Sequence, residues 1–131
     1  MSILTSIPGI VASGGAPTPV PPTFTQRTSS FGASNITATF YDGSTYWVTA
    51  GQSGKLATAT DPTATWTQRT SSFVTTQIRS CAHDGSTYWV TVGDTGKLAT
   101  ATDPTGTWTQ RTSSFGTTNI QGISNGSDGY W

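Results

Sequence analysis

The charged, imidazole and thiol side chains of this 131-residue chain are six aspartates, four arginines, two lysines, one histidine and one cysteine, and there is no glutamate. Hydrolysis by a carboxylate pair needs an acid and a base or nucleophile on opposite sides of one bond. Asp42, Asp84, Asp61 and Asp103 stand instead in Asp-Gly and Asp-Pro turns, where an Asp side chain bonds the local backbone. A structural role is expected for all four, with calcium binding the less favoured use. His83 is the only histidine, and Tyr41 fills the equivalent slot one repeat earlier; neither metal ligation nor base catalysis is expected of it. Cys81 is the only cysteine, so no disulfide within the chain and no multi-Cys metal site can form. Its counterparts are Thr39 and Ile123, which reads as a packed thiol. No Ser–His–Asp arrangement is suggested. The chain is read as a non-enzyme with no catalytic residue, no metal and no cofactor.

Aromatic residues are the other candidates. Tyr46 and Trp47 recur as Tyr88 and Trp89, and again as Tyr130 and Trp131. Exposed, such rings could stack on sugar faces as in a lectin. Buried, they would pack between sheets, and burial is the favoured reading.

These residues are positioned by a repeat of 42. Thr25 to Phe31 reads Thr-Gln-Arg-Thr-Ser-Ser-Phe, and the same phrase returns at 67–73 and 109–115. Asp42 to Thr49 returns as Asp84 to Thr91. A fixed period of this size marks units that bury their apolar faces only by stacking on one another. Each period predicts four short strands: 35–40, 45–50, 55–60 and 65–70, matched by 77–82, 87–92, 97–102 and 107–112. Asp-Gly, Gly-x-x-Gly and Asp-Pro turns separate them. Alternation puts Tyr46, Val48 and Ala50 on one face and Trp47 and Thr49 on the other. Four antiparallel strands per ~40 residues is the spacing of a β-propeller blade; a β-solenoid or trimeric fibre repeat is the alternative. The expected fold is all-β, with tandem four-stranded antiparallel blades incomplete in one chain. Blades fall at 35–70 and 77–112, with a partial one at 119–131, inside a repeat domain spanning 23–131. The link 71–76 and the loops 51–54 and 93–96 are the expected contact surface.

Composition fits such a unit. Threonine is the commonest residue, followed by serine and then glycine, a mixture that favours strands and tight turns over helix. Charged residues are 9% of the chain and the net charge is zero. Arg27, Arg69 and Arg111 share one repeat slot, so no basic stripe for nucleic acid is visible. No segment reaches the ~18 apolar residues of a membrane span, and residues 1–15 lack the basic start of a secretory signal.

The turn Ala101-Thr102-Asp103-Pro104-Thr105-Gly106-Thr107-Trp108 resembles the Asp-box of sialidase-type (BNR) propellers, Ser-x-Asp-x-Gly-x-Thr-Trp. Asp103, Thr107 and Trp108 match in identity and spacing, as do Asp61, Thr65 and Trp66 one period earlier. Ala101 and Thr105 depart from the pattern, the glycine is displaced by one, and Ala64 replaces it in the earlier copy. The resemblance implies a structural box: the Asp caps the turn and the Trp packs between sheets, where full burial of each ring is worth on the order of 4–6 kcal/mol. Sialidase activity is not expected, because sialidases use an arginine cluster and a Tyr–Glu pair. Here Arg27, Arg69 and Arg111 are repeat-equivalent and Glu is missing.

Thr/Ser/Gly-rich repeats almost free of charge also look like those of bacteriophage tail, fibre and head-decoration proteins. There an N-terminal anchor and a Pro-rich spacer precede the outward domain. Residues 1–22 fit that layout as an extended arm ending in Pro17-Thr18-Pro19-Val20-Pro21-Pro22. Ile3, Leu4, Ile7, Ile10 and Val11 are the expected docking residues. The resemblance implies a virion protein with other virion proteins as partners, or, on the lectin alternative, a host surface glycan bound through Tyr46, Trp47, Tyr88 and Trp89. Two whole blades, an orphan fourth strand at 23–28 and the start of another blade do not close a ring of four to eight. Either copies of the chain complete one another, or the polypeptide continues; the break at Tyr130-Trp131 favours continuation.

Overall fold

A computed structural model describes residues 23–126 and 131. The docking residues expected at Ile3, Leu4, Ile7, Ile10 and Val11, and the arm that carries them, lie outside the described residues. The described chain is all-β, with two four-stranded antiparallel sheets. The first runs β1 (Ile36–Tyr41), β2 (Trp47–Gly51), β3 (Leu56–Ala59), β4 (Thr67–Arg69). The second runs β5 (Ile78–His83), β6 (Trp89–Gly93), β7 (Leu98–Ala101), β8 (Thr109–Arg111). Each sheet is a meander in chain order, the result of short turns between successive strands.

Every strand pair keeps the same register in both sheets. Thr49 faces Ala57 as Thr91 faces Ala99, and Leu56 faces Arg69 as Leu98 faces Arg111. A register shift between Ile36 and Ala38 recurs between Ile78 and Ser80. Cross-strand partners share a face. The face of the first sheet carrying Val48, Ala50 and Leu56 therefore meets the face of the second carrying Trp89, Ala99 and Ala101, and these residues form one core with Phe73, Ile78, Cys81 and Trp108. The sheets approach most closely where β1 and β2 meet β5. Thr37 Oγ1 bridges them, donating to the Ile78 carbonyl at 2.5 Å. A smaller core on the far side of the second sheet joins Val90, Val92 and Ile120, with Leu98 and Ile123 against them.

The turns differ from the sequence reading in one consistent way. β2 and β6 begin at Trp47 and Trp89, two residues later than expected, because Asp42 Oδ1 accepts the N–H groups of Ser44, Thr45 and Tyr46 at 2.8, 2.7 and 3.1 Å. That carboxylate takes the N–H groups a tight hairpin would have left to the ladder. The turns from β2 to β3 and from β6 to β7 are tight turns over Gln52–Gly54 and Asp94–Gly96, in which Ser53 and Thr95 hold left-handed φ of 57° and 56°. Gly54 and Gly96 hold φ of 63° and 67°, and a Cβ on either would lie 2.3 or 2.0 Å from the carbonyl oxygen of Val74 or Gly116. Only glycine admits that combination.

The link between repeats is part of the core. Phe31 and Phe73 are fully buried, whereas Phe115 is 54% exposed. Lys55 Nζ donates to the Phe31 carbonyl at 2.5 Å, and Lys97 Nζ to the Phe73 carbonyl at 3.1 Å. Phe31 and Phe73, and the Thr-Gln-Arg-Thr-Ser-Ser-Phe phrases they end, are thus fastened to the sheet that follows. Within the link 71–76, Ser71 and Phe73 are buried, while Val74 and Thr75 are exposed. Residues 23–28, expected as an orphan strand, and 119–126, expected to open a partial blade, form no strand. The latter segment lies over the second sheet through the Ile120 N–H on the Gly93 carbonyl (3.0 Å) and the Ile123 N–H on Ser80 Oγ (3.3 Å).

Candidate functional site

The turn aspartates act on their own backbone. Asp84 Oδ1 accepts the N–H groups of Ser86, Thr87 and Tyr88 at 2.8, 2.6 and 3.0 Å. Partial burial works to raise its pKa, but those three bonds outweigh it and hold the carboxyl down at about 2. Asp42 is lowered by the same competition. In the two boxes, Asp61 and Asp103 each accept the side-chain hydroxyl and the backbone N–H of the residue two on, Thr63 and Thr105, at 2.7–2.8 Å. These bonds lower both carboxyls, and the charge of Arg27 or Arg69 adds to the effect. Thr65 and Thr107 are exposed.

The two box tryptophans share a local pose and differ in surroundings. Trp108 Nε1 donates to the Pro104 carbonyl at 3.2 Å, and Trp66 Nε1 to the Pro62 carbonyl at 3.4 Å. Trp108 is 3% exposed within the inter-sheet core. Trp66, on the outer side of the first sheet, is only half-buried.

The rings expected to stack on sugar fare unequally. Trp89 is 1% exposed, edge-on to Phe40 at 6.1 Å and tilted over His83 at 4.7 Å, so it offers no face to a ligand. Trp47 stacks on Tyr41 at 4.6 Å and is half-buried, and Tyr46 packs on the inter-sheet core. Tyr88 alone of the four is well exposed, at 47%. His83 Nδ1 accepts the Gly85 N–H at 3.1 Å. Burial pushes the Cys81 thiol up to about 12, which makes it a core side chain rather than a nucleophile. Among the described residues, no group of three or more His, Cys, Asp or Glu is placed to hold a metal ion, and no helix is long and apolar enough to cross a membrane.

Two features escaped sequence reasoning. Arg79 pairs with Asp94 and also donates to Gln121 Oε1 at 3.0 Å. The slots of that ion pair hold Thr37 and Gln52 in the first sheet, so the repeat gave no hint of it. The second feature is a pair of open clefts of about 460 and 390 Å³. In each, one repeat's Gln-Arg-Thr-Ser phrase faces the box turn of the sheet that follows. The first gathers Arg27, Ser30 and Trp66, the second Arg69, Ser72 and Trp108, every member one full period from its counterpart. Both phrases are plain in the sequence; their juxtaposition is a product of the packing.

No protein-family model, curated protein or solved structure matches the chain.

Proposed function

We propose that this chain is a non-enzymatic structural component of a bacteriophage virion, in a tail, fibre or head-decoration role, and that its two sheets are blades of the β-propeller type. The observation that carries the structural reading is how the distinctive side chains are used. The four repeated turn aspartates are engaged by their own turns, Cys81 and Trp89 are sealed in the core, and Phe31 and Phe73 fasten each repeat to the next. Residues that a catalyst would leave free hold turns and layers together. Close approach at β1, β2 and β5 supports blades set side by side around an axis near those strands. The virion setting rests on composition and on the arm-then-repeat layout, with other virion proteins and further copies or further length of chain as the partners that complete the array.

The test is to purify phage particles encoding an epitope-tagged chain. The tag should co-sediment with particles, and deletion of residues 1–16 should release it while the repeat domain still folds. A tag found only in the soluble fraction, with the full chain folded, would refute the reading. The lectin reading on the second-strand rings is weakened by the burial of Trp89 and the Tyr41–Trp47 stack.

A further inference from the structure

The two sheets share one register and nearly one set of residues, so the contact between them shows what each face of the repeat packs on. The second sheet meets the first through Ile78, Trp89 and Trp108, which are 0%, 1% and 3% exposed there. The first sheet carries Ile36, Trp47 and Trp66 in those slots, on its front face. No further sheet stands against that face among the described residues. Ile36 is accordingly 46% exposed, and both tryptophans are only half-buried. Tyr41, stacked on Trp47, is exposed as well.

The opposite end of the pair carries the surface on which such a face packs. Val48, Ala50 and Leu56 receive the second sheet, and Val90, Val92 and Leu98 fill their slots on the back face of the second sheet. Over β6 this back face is covered by residues 119–126, with Ile120 and Ile123 in the slots of Ile78 and Cys81. Over β7 it is more open. Leu98 and Thr100 are half-buried, whereas Leu56 and Thr58 are 0% and 2% exposed.

We infer that these two faces form one interface whose partner is a second copy of this chain, docked head to tail. The Trp47–Trp66 face of one copy lies on the Val90–Leu98 face of the next, as the second sheet lies on the first within each copy. Ile36 and Thr39 of the incoming β1 share their slots with Ile120 and Ile123, so β1 takes the place that 119–126 holds. The segment therefore competes with the second copy, and association exchanges its cover for the burial of two indole rings. Such rings carry a large share of the energy at protein interfaces. A head-to-tail contact leaves one face free at each end, so it grows until rotation closes a ring or runs on as a filament. The inference deepens the structural reading above by choosing further copies as the partner. The docking itself rests on the packing of the two sheets. Only the number of chains rests on the blade reading, under which about two to four copies supply the ~4–8 sheets of a closed ring.

The test is native mass spectrometry and sedimentation velocity on the full chain. It should associate with a midpoint on the order of 10 µM, and tryptophan emission should shift to the blue as Trp47 and Trp66 lose solvent. Trp66→Arg spoils the front face and should weaken association at least roughly thirtyfold. Leu98→Arg spoils the back face and should do the same. Mixed, the two variants should form a one-to-one dimer and nothing larger, because each keeps the face the other lacks; that dimer also shows that both fold. Ile36→Arg, at an exposed position, is a second front-face variant with the same expectation. Ile123→Thr gives the segment the side chain of its β1 counterpart Thr39 and should tighten association severalfold. A ring of a few copies supports both the docking and the blades, whereas filaments support the docking and refute the closed ring. A chain that stays monomeric at ~200 µM would overturn the inference. So would Trp66→Arg and Ile36→Arg chains that associate like the wild type, folded variants that stay apart when mixed, or Ile123→Thr without effect.

Discussion

At position 74 a β-branched side chain holds a φ of 59°, where its counterparts in the neighbouring repeats are Gly32 and Gly116 at 60° and 58°. Valine resists that region, and the side chain recovers nothing by burial, being 79% exposed. Val74→Gly relieves about 1–3 kcal/mol of backbone strain and returns part of it as unfolded-state entropy. The expected net effect is a gain of about 1 kcal/mol, read as a higher urea midpoint with an unchanged slope. The aspartates set the response to acid. The Asp84 carboxyl titrates at about 2 in the fold against an ordinary 3.8. Its contribution to stability is therefore complete above about pH 4 and is lost as pH falls through 2. Asp42, Asp61 and Asp103 are lowered too and act in the same direction. Urea midpoints measured at pH 7, 4, 3 and 2 should hold level to about pH 4 and then fall. Asp84→Asn keeps an oxygen for the three N–H groups but removes the titration, so its fall below pH 4 should be shallower than that of the wild type.

The eight strands were legible in outline because hydrophobic alternation and turn residues agreed. Gly51 and Gly93 close strands whose neighbours pass so near that a Cβ would lie 2.1 Å from the Asn35 or Gln77 carbonyl oxygen, so the punctuation was also a packing requirement. The starts of β2 and β6 fall two residues beyond the expected ones because the Asp-Gly signal marks a turn without giving its length. An Asp side chain that competes for three backbone N–H groups leaves little trace in sequence. The box motif was legible as a turn, and its Asp and Trp do hold that turn. The unequal burial of its two tryptophans was not legible, because identical local sequence gives no information about which neighbour stands alongside. Trp108→Ala should cost about 3–5 kcal/mol, as for a ring removed from a packed core. Trp66→Ala, at the half-buried copy, should cost less than half as much. Equal losses in parallel chemical denaturation would show that local turn geometry, rather than the neighbouring sheet, gives the ring its value.

At the scale of the molecule, the two sheets are held together by one shared core, within which a ring pair crosses from sheet to sheet. Phe40 of the first sheet meets Trp89 of the second edge to face at 6.1 Å and 87°. Such pairs are worth about 0.5–1.5 kcal/mol beyond their area. A double-mutant cycle with Phe40→Leu and Trp89→Leu should return a coupling in that range, and a coupling near zero would mean that the ring pair contributes nothing beyond its buried area. The arrangement of sheets was the part of the fold least accessible to sequence. The period announced stacked units, while the pairing of Arg27 and Arg69 with the following box turns depended on three-dimensional placement.

The face that the first sheet offers to the second is built from Val48, Ala50 and Leu56, and the second sheet carries Val90, Val92 and Leu98 in the same slots on its far side. A duplication of one repeat cassette within the coding sequence would therefore introduce a new layer whose front and back surfaces already match the layers flanking it. Length can change in whole units, and each added unit would bring one more arginine–tryptophan cleft with it.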